Sequence, residues 1–262
     1  MRLSLWRGEA HVCSYLEGQT ARLVFVDPRQ ALQGPQINLL IQNGFRRSGA
    51  HYYRPDCEGC RACVPLRIPT GDFKPSRSQK RTWARHAGLE VKWREPVFEE
   101  SHYRLYLRYQ SARHPGGTMA ESSAEEYLAF LSPARGERTW FCEFRRAGRL
   151  MALAVVDCLD DGASAVYTFY EPGPSGQGLG TFAVLWQLDW LKAQGLPYLY
   201  LGYWVAASQK MAYKAQFRPF ECYLGGLWRR AECDAADEGT AECPASGEAS
   251  PEGSSPLGLG IC

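Results

Sequence analysis

Three thiols stand at two-residue spacings in Cys57-Glu58-Gly59-Cys60-Arg61-Ala62-Cys63, so one tight loop can present them to a single metal ion that neutralises their thiolate charge. Three is one short of a closed tetrahedron. Cys13, in His11-Val12-Cys13-Ser14-Tyr15, is the natural fourth ligand, with His51 behind it. The run also suits an iron–sulfur loop, although the fourth Cys three residues on is absent, since Val64-Pro65-Leu66-Arg67 follows. Reduced thiols packed beside a core are the plain alternative in a reducing compartment. A second chemistry is cationic. On a helix, Ser76-Arg77-Ser78-Gln79-Lys80-Arg81 sets Arg77 and Arg81 four apart with Lys80 on the same face, fit for a carboxylate, a phosphate or plain solvent. Lys210 and Lys214 repeat that spacing around Tyr213, while Arg113 and His114 precede the flexible Pro115-Gly116-Gly117. A third feature is the turn Ser175-Gly176-Gln177-Gly178-Leu179-Gly180, where a helix N-terminus can aim N–H groups at an anion or serve structure alone.

These groups need elements to hold them. Before about residue 75 the chain shows short extended pieces, Leu23 to Val26 and Val64 to Ile68, around a helix from Gln36 to Asn43 that ends at Gly44. From Ser76 the elements lengthen: a basic helix to His86, a strand over Leu89 to Trp93 and a helix from Glu99 to His114. Another helix is opened by the capping box Ser123-Ala124-Glu125-Glu126. Strands follow over Thr139 to Arg145, Leu150 to Asp157 and Ser164 to Tyr170, the last two joined by Asp160-Asp161-Gly162. A helix over Leu179 to Ala193, a strand over Tyr198 to Leu201, a helix over Ser208 to Ala215 and a last strand over Phe220 to Trp228 complete the pattern. The division is thus a small Cys-containing N-terminal domain over 1–75, an α/β (α+β) domain over 76–230, and a tail over 231–262.

The tail is rich in Ala, Gly, Ser, Glu and Pro, has no aromatic residue, and reads as disordered. It carries seven of the 28 acids and no Lys or Arg, so the net charge of +2 conceals a body of +9. A body that basic fits a polyanion such as RNA, or is merely a solvated surface. With 45% hydrophobic residues among 262 there is material for a sizeable core, yet no apolar run approaches the roughly 18 residues of a membrane span. Charge interrupts Met1-Arg2-Leu3-Ser4-Leu5-Trp6-Arg7-Gly8-Glu9 before a signal peptide can form, and a cytosolic location is expected.

The order strand meander, glycine turn, long helix, further strand resembles acyltransferases of the GNAT type, in which a splayed sheet holds the acyl donor. That pattern has Gln or Arg three residues before the first of the paired glycines; here it is Ser175, a departure from coenzyme A binding. More specifically, the chain resembles the arginyl-tRNA-protein transferase family in its short bacterial branch, the aspartate/glutamate leucyltransferases. The matching blocks, in order, are Cys13-Ser14-Tyr15-Leu16, Gly44-Phe45-Arg46-Arg47-Ser48-Gly49 on to Tyr53-Arg54-Pro55, Cys57 to Arg67, and Phe73 to Arg81. Ala165 to Pro172, Tyr198 to Trp204 and Lys210 to Pro219 complete them.

The resemblance implies an enzyme that moves Leu or Arg from aminoacyl-tRNA to proteins beginning with Asp or Glu, marking them for degradation. The acceptor α-amine has a pKa of about 7.7 to 8.0, so positioning matters more than a strong base. The tetrahedral oxyanion wants donors and the departing ribose hydroxyl wants a proton; Tyr167, Tyr170, Tyr213 and Lys214 are the catalytic candidates. Arg77, Lys80, Arg81, Lys210, Gly178 and Gly180 are the substrate-binding candidates, the arginines expected at the acceptor's carboxylate because their block lies outside the donor-binding sheet. No cofactor is required for this chemistry; a structural zinc or iron–sulfur cluster is the metal expectation at Cys13, Cys57, Cys60 and Cys63. Two rival readings are an acetyl-CoA-dependent N-acetyltransferase and a non-catalytic zinc-stabilised RNA-binding module.

Overall fold

A computed structural model describes residues 3–132 and 138–231, so all of the tail but Ala231 lies outside the described residues. The chain opens with β1 (Leu5–Arg7), β2 (His11–Val12), β3 (Thr20–Ala21) and β4 (Leu23–Val26). There follow α1 (Gly34–Gln42), the hairpin β5 (Arg46–Ser48) and β6 (His51–Pro55), and β7 (Val64–Pro69). Next come α2 (Arg77–His86), β8 (Glu90–Arg94), α3 (Glu100–Arg113), α4 (Ala124–Leu131), β9 (Thr139–Arg146), β10 (Arg149–Leu159) and β11 (Gly162–Tyr170). The chain continues through α5 (Leu179–Ala193), β12 (Tyr198–Trp204), α6 (Gln209–Ala212), β13 (Glu221–Leu224) and β14 (Leu227–Arg230).

The molecule is a mixed α/β structure built on one eight-stranded sheet of order β14-β13-β7-β12-β11-β10-β9-β8. The period-2 pattern of β10 shows why it is covered on both faces. Ala152, Ala154 and Val156 point into a core shared with Phe182, Leu185 and Leu188 of α5, while Leu153 and Val155 point to Leu105 of α3 and Tyr127 and Leu131 of α4. The α4 capping box forms as its sequence requires: Glu126 N donates to Ser123 Oγ at 3.1 Å and Ser123 N to Glu126 Oε2 at 2.8 Å. A similar box, Ser76 with Gln79, starts α2.

Three expectations change. The boundary at residue 75 cuts through the large sheet, because β7 pairs with β12 on one side and β13 on the other. The leading residues otherwise form a four-stranded sheet, β1-β4-β6-β5, whose Val26 and Tyr52 share a core with Leu159 and Tyr200 of the large sheet. The strand read over Phe220 to Trp228 is the hairpin β13–β14, since Gly225 and Gly226, at φ 58° and 82°, make the two-residue turn that positive φ permits. The helix read over Ser208 to Ala215 is α6 alone, followed by a 3-10 turn at Tyr213–Gln216.

What positions the functional region is a parting of two strands. β11 and β12 run parallel but pair only over Gly162–Ser164 and Tyr198–Tyr200, after which they diverge towards Tyr170 and Trp204. Residue Leu201 is the extra residue of a bulge against β7, and it leaves Gly202 with φ +69° on the diverging stretch.

Candidate active site

The opening between the diverging strands is entered by Arg46, from β5 of the N-terminal sheet. Its Nη2 donates to Val166 O of β11 at 2.8 Å, and on the other side a Cβ at Gly202 of β12 would stand 2.7 Å from its Nη1. A glycine at 202 therefore serves both the positive φ and the room for the guanidinium. The hairpin that carries Arg46 is pinned by Tyr203, whose buried hydroxyl points between Gly44 O and Tyr53 O, 3.0 Å from each. Arg46 makes no ion pair among the described residues. Its neighbour Arg47 faces the opposite way, 1% exposed and forked onto Asp157 at 2.7 and 2.8 Å.

Lys214 lies at the same strand end. It is 3% exposed, and its Nζ donates to Tyr203 O at 2.6 Å; no carboxylate pairs with it among the described residues. Burial pushes its amine well below the usual lysine range, and the charge of Arg46 pushes in the same direction. The amine therefore gives up its proton more readily than an exposed lysine does. Burial raises the hydroxyls of Tyr15, Tyr167 and Tyr203 above the ordinary tyrosine range, which keeps them protonated.

The tyrosine candidates occupy different situations. Tyr167 accepts a hydrogen bond from Gln110 Nε2 at 2.9 Å, and Tyr170 accepts one from Arg113 Nη2 at 3.0 Å while its ring stacks edge-on against Tyr109. Tyr213, 43% exposed, makes no hydrogen bond through its hydroxyl among the described residues. Lys210 faces His114, whose pKa is lowered first by burial and then by Lys210 and Arg113.

The glycine turn leads into α5, with Gly178 at φ +85° as the residue before it. Its two candidate glycines are closely packed: a Cβ at Gly178 would meet Thr82 Cγ2 at 3.2 Å, and one at Gly180 would meet the Tyr170 ring at 3.0 Å. Helix α2 braces this turn, with His86 Nε2 2.9 Å from Gln177 O and Arg85 Nη1 3.3 Å from Gln177 Oε1. At its other end, the buried Gln79 donates to Gln216 O at 3.0 Å. Arg77, Lys80 and Arg81 are exposed and make no ion pair among the described residues. Arg77, Arg81 and Arg85 form a row at four-residue intervals that leads to the glycine turn.

The four candidate thiols bear on one another. Cys63 is pushed up to about 11, first by burial and then by the thiols of Cys13, Cys57 and Cys60. Backbone N–H groups of Tyr15 and Arg22 point at the sulfurs of Cys13 and Cys57, at 3.5 and 3.4 Å. Donors of that kind stabilise thiolates, so the residues fit a soft metal. The spacing is open, however. Among the described residues only Glu99, His102 and Glu143 bring three ligand atoms within 4.8 Å of one another, whereas zinc–sulfur bonds of 2.3 Å in a tetrahedron give edges of about 3.8 Å. Cys63 also packs with Tyr15, Tyr53, Tyr203 and Met211, so this cluster backs onto the strand end that holds Lys214.

Sequence reasoning missed Arg46 as a site residue, although it lies in one of the matching blocks. Two adjacent arginines in a short strand point to opposite faces, and nothing local says which one enters the cleft.

Comparison with known proteins extends the geometry. A model of arginine-tRNA-protein transferase, N terminus, matches residues 11–81, and one of arginine-tRNA-protein transferase, C terminus, matches residues 101–224. The aspartate/glutamate leucyltransferase of Hahella chejuensis is 47% identical over 218 residues, covering 83% of this chain and 93% of that protein. The one from Marinobacter nauticus is 46% identical over 224 residues, 86% and 94% of the two chains. A solved structure of L-PGS from Bacillus licheniformis aligns with TM-score 0.47 and 13% identity over 65% of this chain and 59% of that one, too distant to bear on the argument.

Proposed function

The chain belongs to the arginine-tRNA-protein transferase family, and from that premise we propose that it is an aspartate/glutamate leucyltransferase. It takes leucine from its ester on tRNA and joins it to the α-amine of a protein that begins with Asp or Glu, which marks that protein for degradation in the cytoplasm. The observation that carries this reading is the strand opening furnished with two basic side chains, Arg46 and Lys214, that have no acid of their own among the described residues. The splayed parallel pair supports a GNAT-like framework for the acyl carbonyl, and a +9 body suits tRNA as the carrier.

In the reaction the acceptor nitrogen attacks the ester carbonyl, a C–N bond forms, the C–O bond to the ribose breaks, and a proton passes from the amine to the departing hydroxyl. Lys214 accepts the proton from the attacking amine, and Tyr213 offers its hydroxyl to the oxyanion or the leaving oxygen. Tyr167 and Tyr170 line the opening, their hydroxyls held by Gln110 and Arg113. Gly178 and Gly180 let the turn pack closely, so that the α5 N-terminus faces the donor's terminal phosphates. Mass spectrometry of an Asp-starting peptide after incubation with separately charged leucyl-tRNA, arginyl-tRNA and acetyl-CoA tests the whole reading. A mass gain of one leucine from the first alone is expected. Arginine or acetyl addition, or RNA retention with no transfer, would overturn it.

The exposed row on α2 serves tRNA rather than the acceptor. A convex, solvent-facing helix surface suits successive phosphates, and Arg85 ties the row to the glycine turn. Arg77→Ala and Arg81→Ala should each weaken tRNA binding and flatten its dependence on salt by about one contact, with the preference for Asp over Asn unchanged. Filter binding across a salt series checks this, and an unaltered slope would return the row to plain solvent.

Gly202→Ala should cost about 1 kcal/mol of stability for its positive φ. The larger effect is on transfer, because the new methyl displaces the Arg46 guanidinium; a misplacement of that order lowers the rate by roughly 100-fold. Transfer rate and melting temperature, measured together, separate the two.

Cys13, Cys57, Cys60 and Cys63 hold a structural zinc or an iron–sulfur cluster, which joins the Cys13 segment to the Cys57–Cys63 loop behind the site and takes no part in the transfer. Near-stoichiometric metal in purified protein is expected, and metal-free protein of full activity would remove this assignment.

A further inference from the structure

We infer that Arg46 is the residue that receives the side-chain carboxylate of the acceptor's first residue, an inference that rests on the leucyl-transfer reading above. In an N-terminal Asp or Glu only a few bonds separate the attacking nitrogen from the side-chain carboxylate. Whatever reads the acid must therefore stand beside the reaction centre. The α2 arginines are exposed on a helix surface, whereas Arg46 is half-buried in the strand opening itself.

Its surroundings are those of a cation built to wait for an anion. Arg47, Arg67 and Arg145 each pair with a carboxylate of the chain, Asp157, Glu221 and Glu143. Arg46 has none among the described residues. Its one hydrogen bond, to Val166 O, fixes the fork while engaging a single N–H group, and an Arg has five to offer. Its charge bears on the Tyr15, Tyr167, Tyr203 and Tyr213 hydroxyls and on the Lys214 amine. A planar fork set this way accepts a carboxylate in two-point contact; an amide of the same shape brings an N–H group against it.

Arg46 comes from the N-terminal sheet, whereas the glycine turn is braced by α2, so the two groups reach the functional region from different elements. Tyr203 joins the two halves, pinning the Arg46 hairpin through its hydroxyl and receiving Lys214 at its carbonyl.

The test compares peptides identical except for Asp or Asn at the first position, with leucyl-tRNA as donor. In the unmodified enzyme Asp should be strongly preferred; absence of leucyl transfer to it would sink the function proposed above, independently of Arg46. Arg46→Met should lower kcat/KM for the Asp peptide by roughly 10- to 100-fold, bring it near that for the Asn peptide, and leave tRNA binding unchanged. Arg46→Lys, which keeps the charge but loses the fork, should fall between. A preserved Asp over Asn ratio in Arg46→Met overturns the inference. A second measurement needs no variant: phenylglyoxal adducts at Arg46, mapped by mass spectrometry, should form more slowly with the Asp peptide present and at the unprotected rate with the Asn peptide. Equal protection by both peptides, or by neither, also overturns it.

Discussion

Lys214→Met is expected to lose most leucyl transfer while melting at a higher temperature than the unaltered protein. Removing a positioned proton acceptor costs about 100- to 10,000-fold in rate. The stability gain has a separate origin, because Lys214 is nearly fully buried with no carboxylate beside it among the described residues. Its amine titrates well below the unfolded lysine value of about 10.4. Below the folded pKa both states carry the proton and the native state bears the full penalty of a buried charge. Between the folded value and about 10.4 the unfolded chain binds a proton that the native one lacks, so stability rises with pH across that window. Above it both forms are neutral and the penalty is gone. Methionine has no such penalty, and the gap in melting temperature between variant and parent should be widest at low pH and close as pH approaches about 10.4. For a chain of this size each kcal/mol relieved is roughly 2 to 4 °C. Melting curves from pH 6 to 10 beside single-turnover transfer assays check both halves. A variant that keeps its activity would end the catalytic assignment; one that keeps its activity and gains stability would make Lys214 a purely structural burden.

Much of the framework was legible where local chemistry decides the outcome. The Ser123 capping box, the turn at Asp160 and Asp161, and the strand over Leu150 to Asp157 each depend on residues close in sequence, and each forms as read. The pairing of β7 between β12 and β13 joins residues more than a hundred positions apart, and Val64–Pro69 carries no mark of its partners. The missed turn at Gly225-Gly226 differs, because the signal was present. Aromatic residues on both sides made the run read as one strand, although a glycine pair is among the stronger hairpin cues. The candidate site divides along the same line. Tyr167 and Tyr170 lie on β11, and Lys210, Tyr213 and Lys214 follow β12, so sequence order alone sets them near the two strands that diverge. At Arg77 and Arg81, helical spacing reveals a basic face without revealing how far it stands from the reaction centre.

The adjacent arginines of β5 show how fold and function share one strand. Arg47→Ala should destabilise the protein by about 3 to 5 kcal/mol, the cost of leaving a carboxylate buried without its partner. The Asp157 side chain is 6% exposed, and it accepts from Thr139 Oγ1 at 2.6 Å in addition to the Arg47 fork. Arg47 further donates to Gly49 O at 2.9 Å and to Leu131 O at 3.3 Å, so the truncation also strips donors from the hairpin turn and the end of α4. Denaturant unfolding should show the midpoint falling with an unchanged slope. Replacing both partners, Arg47→Met with Asp157→Leu, removes the stranded charge and should restore most of the stability, because a buried pair is often no better than an apolar one. Activity need not follow. The ion pair also sets the position of β5, and with it the reach of Arg46 into the opening. The double variant should therefore fold well yet transfer leucine slowly and discriminate poorly between Asp and Asn. Recovery of both stability and discrimination would mean that hairpin packing and Tyr203 place Arg46 without help from the pair beneath it.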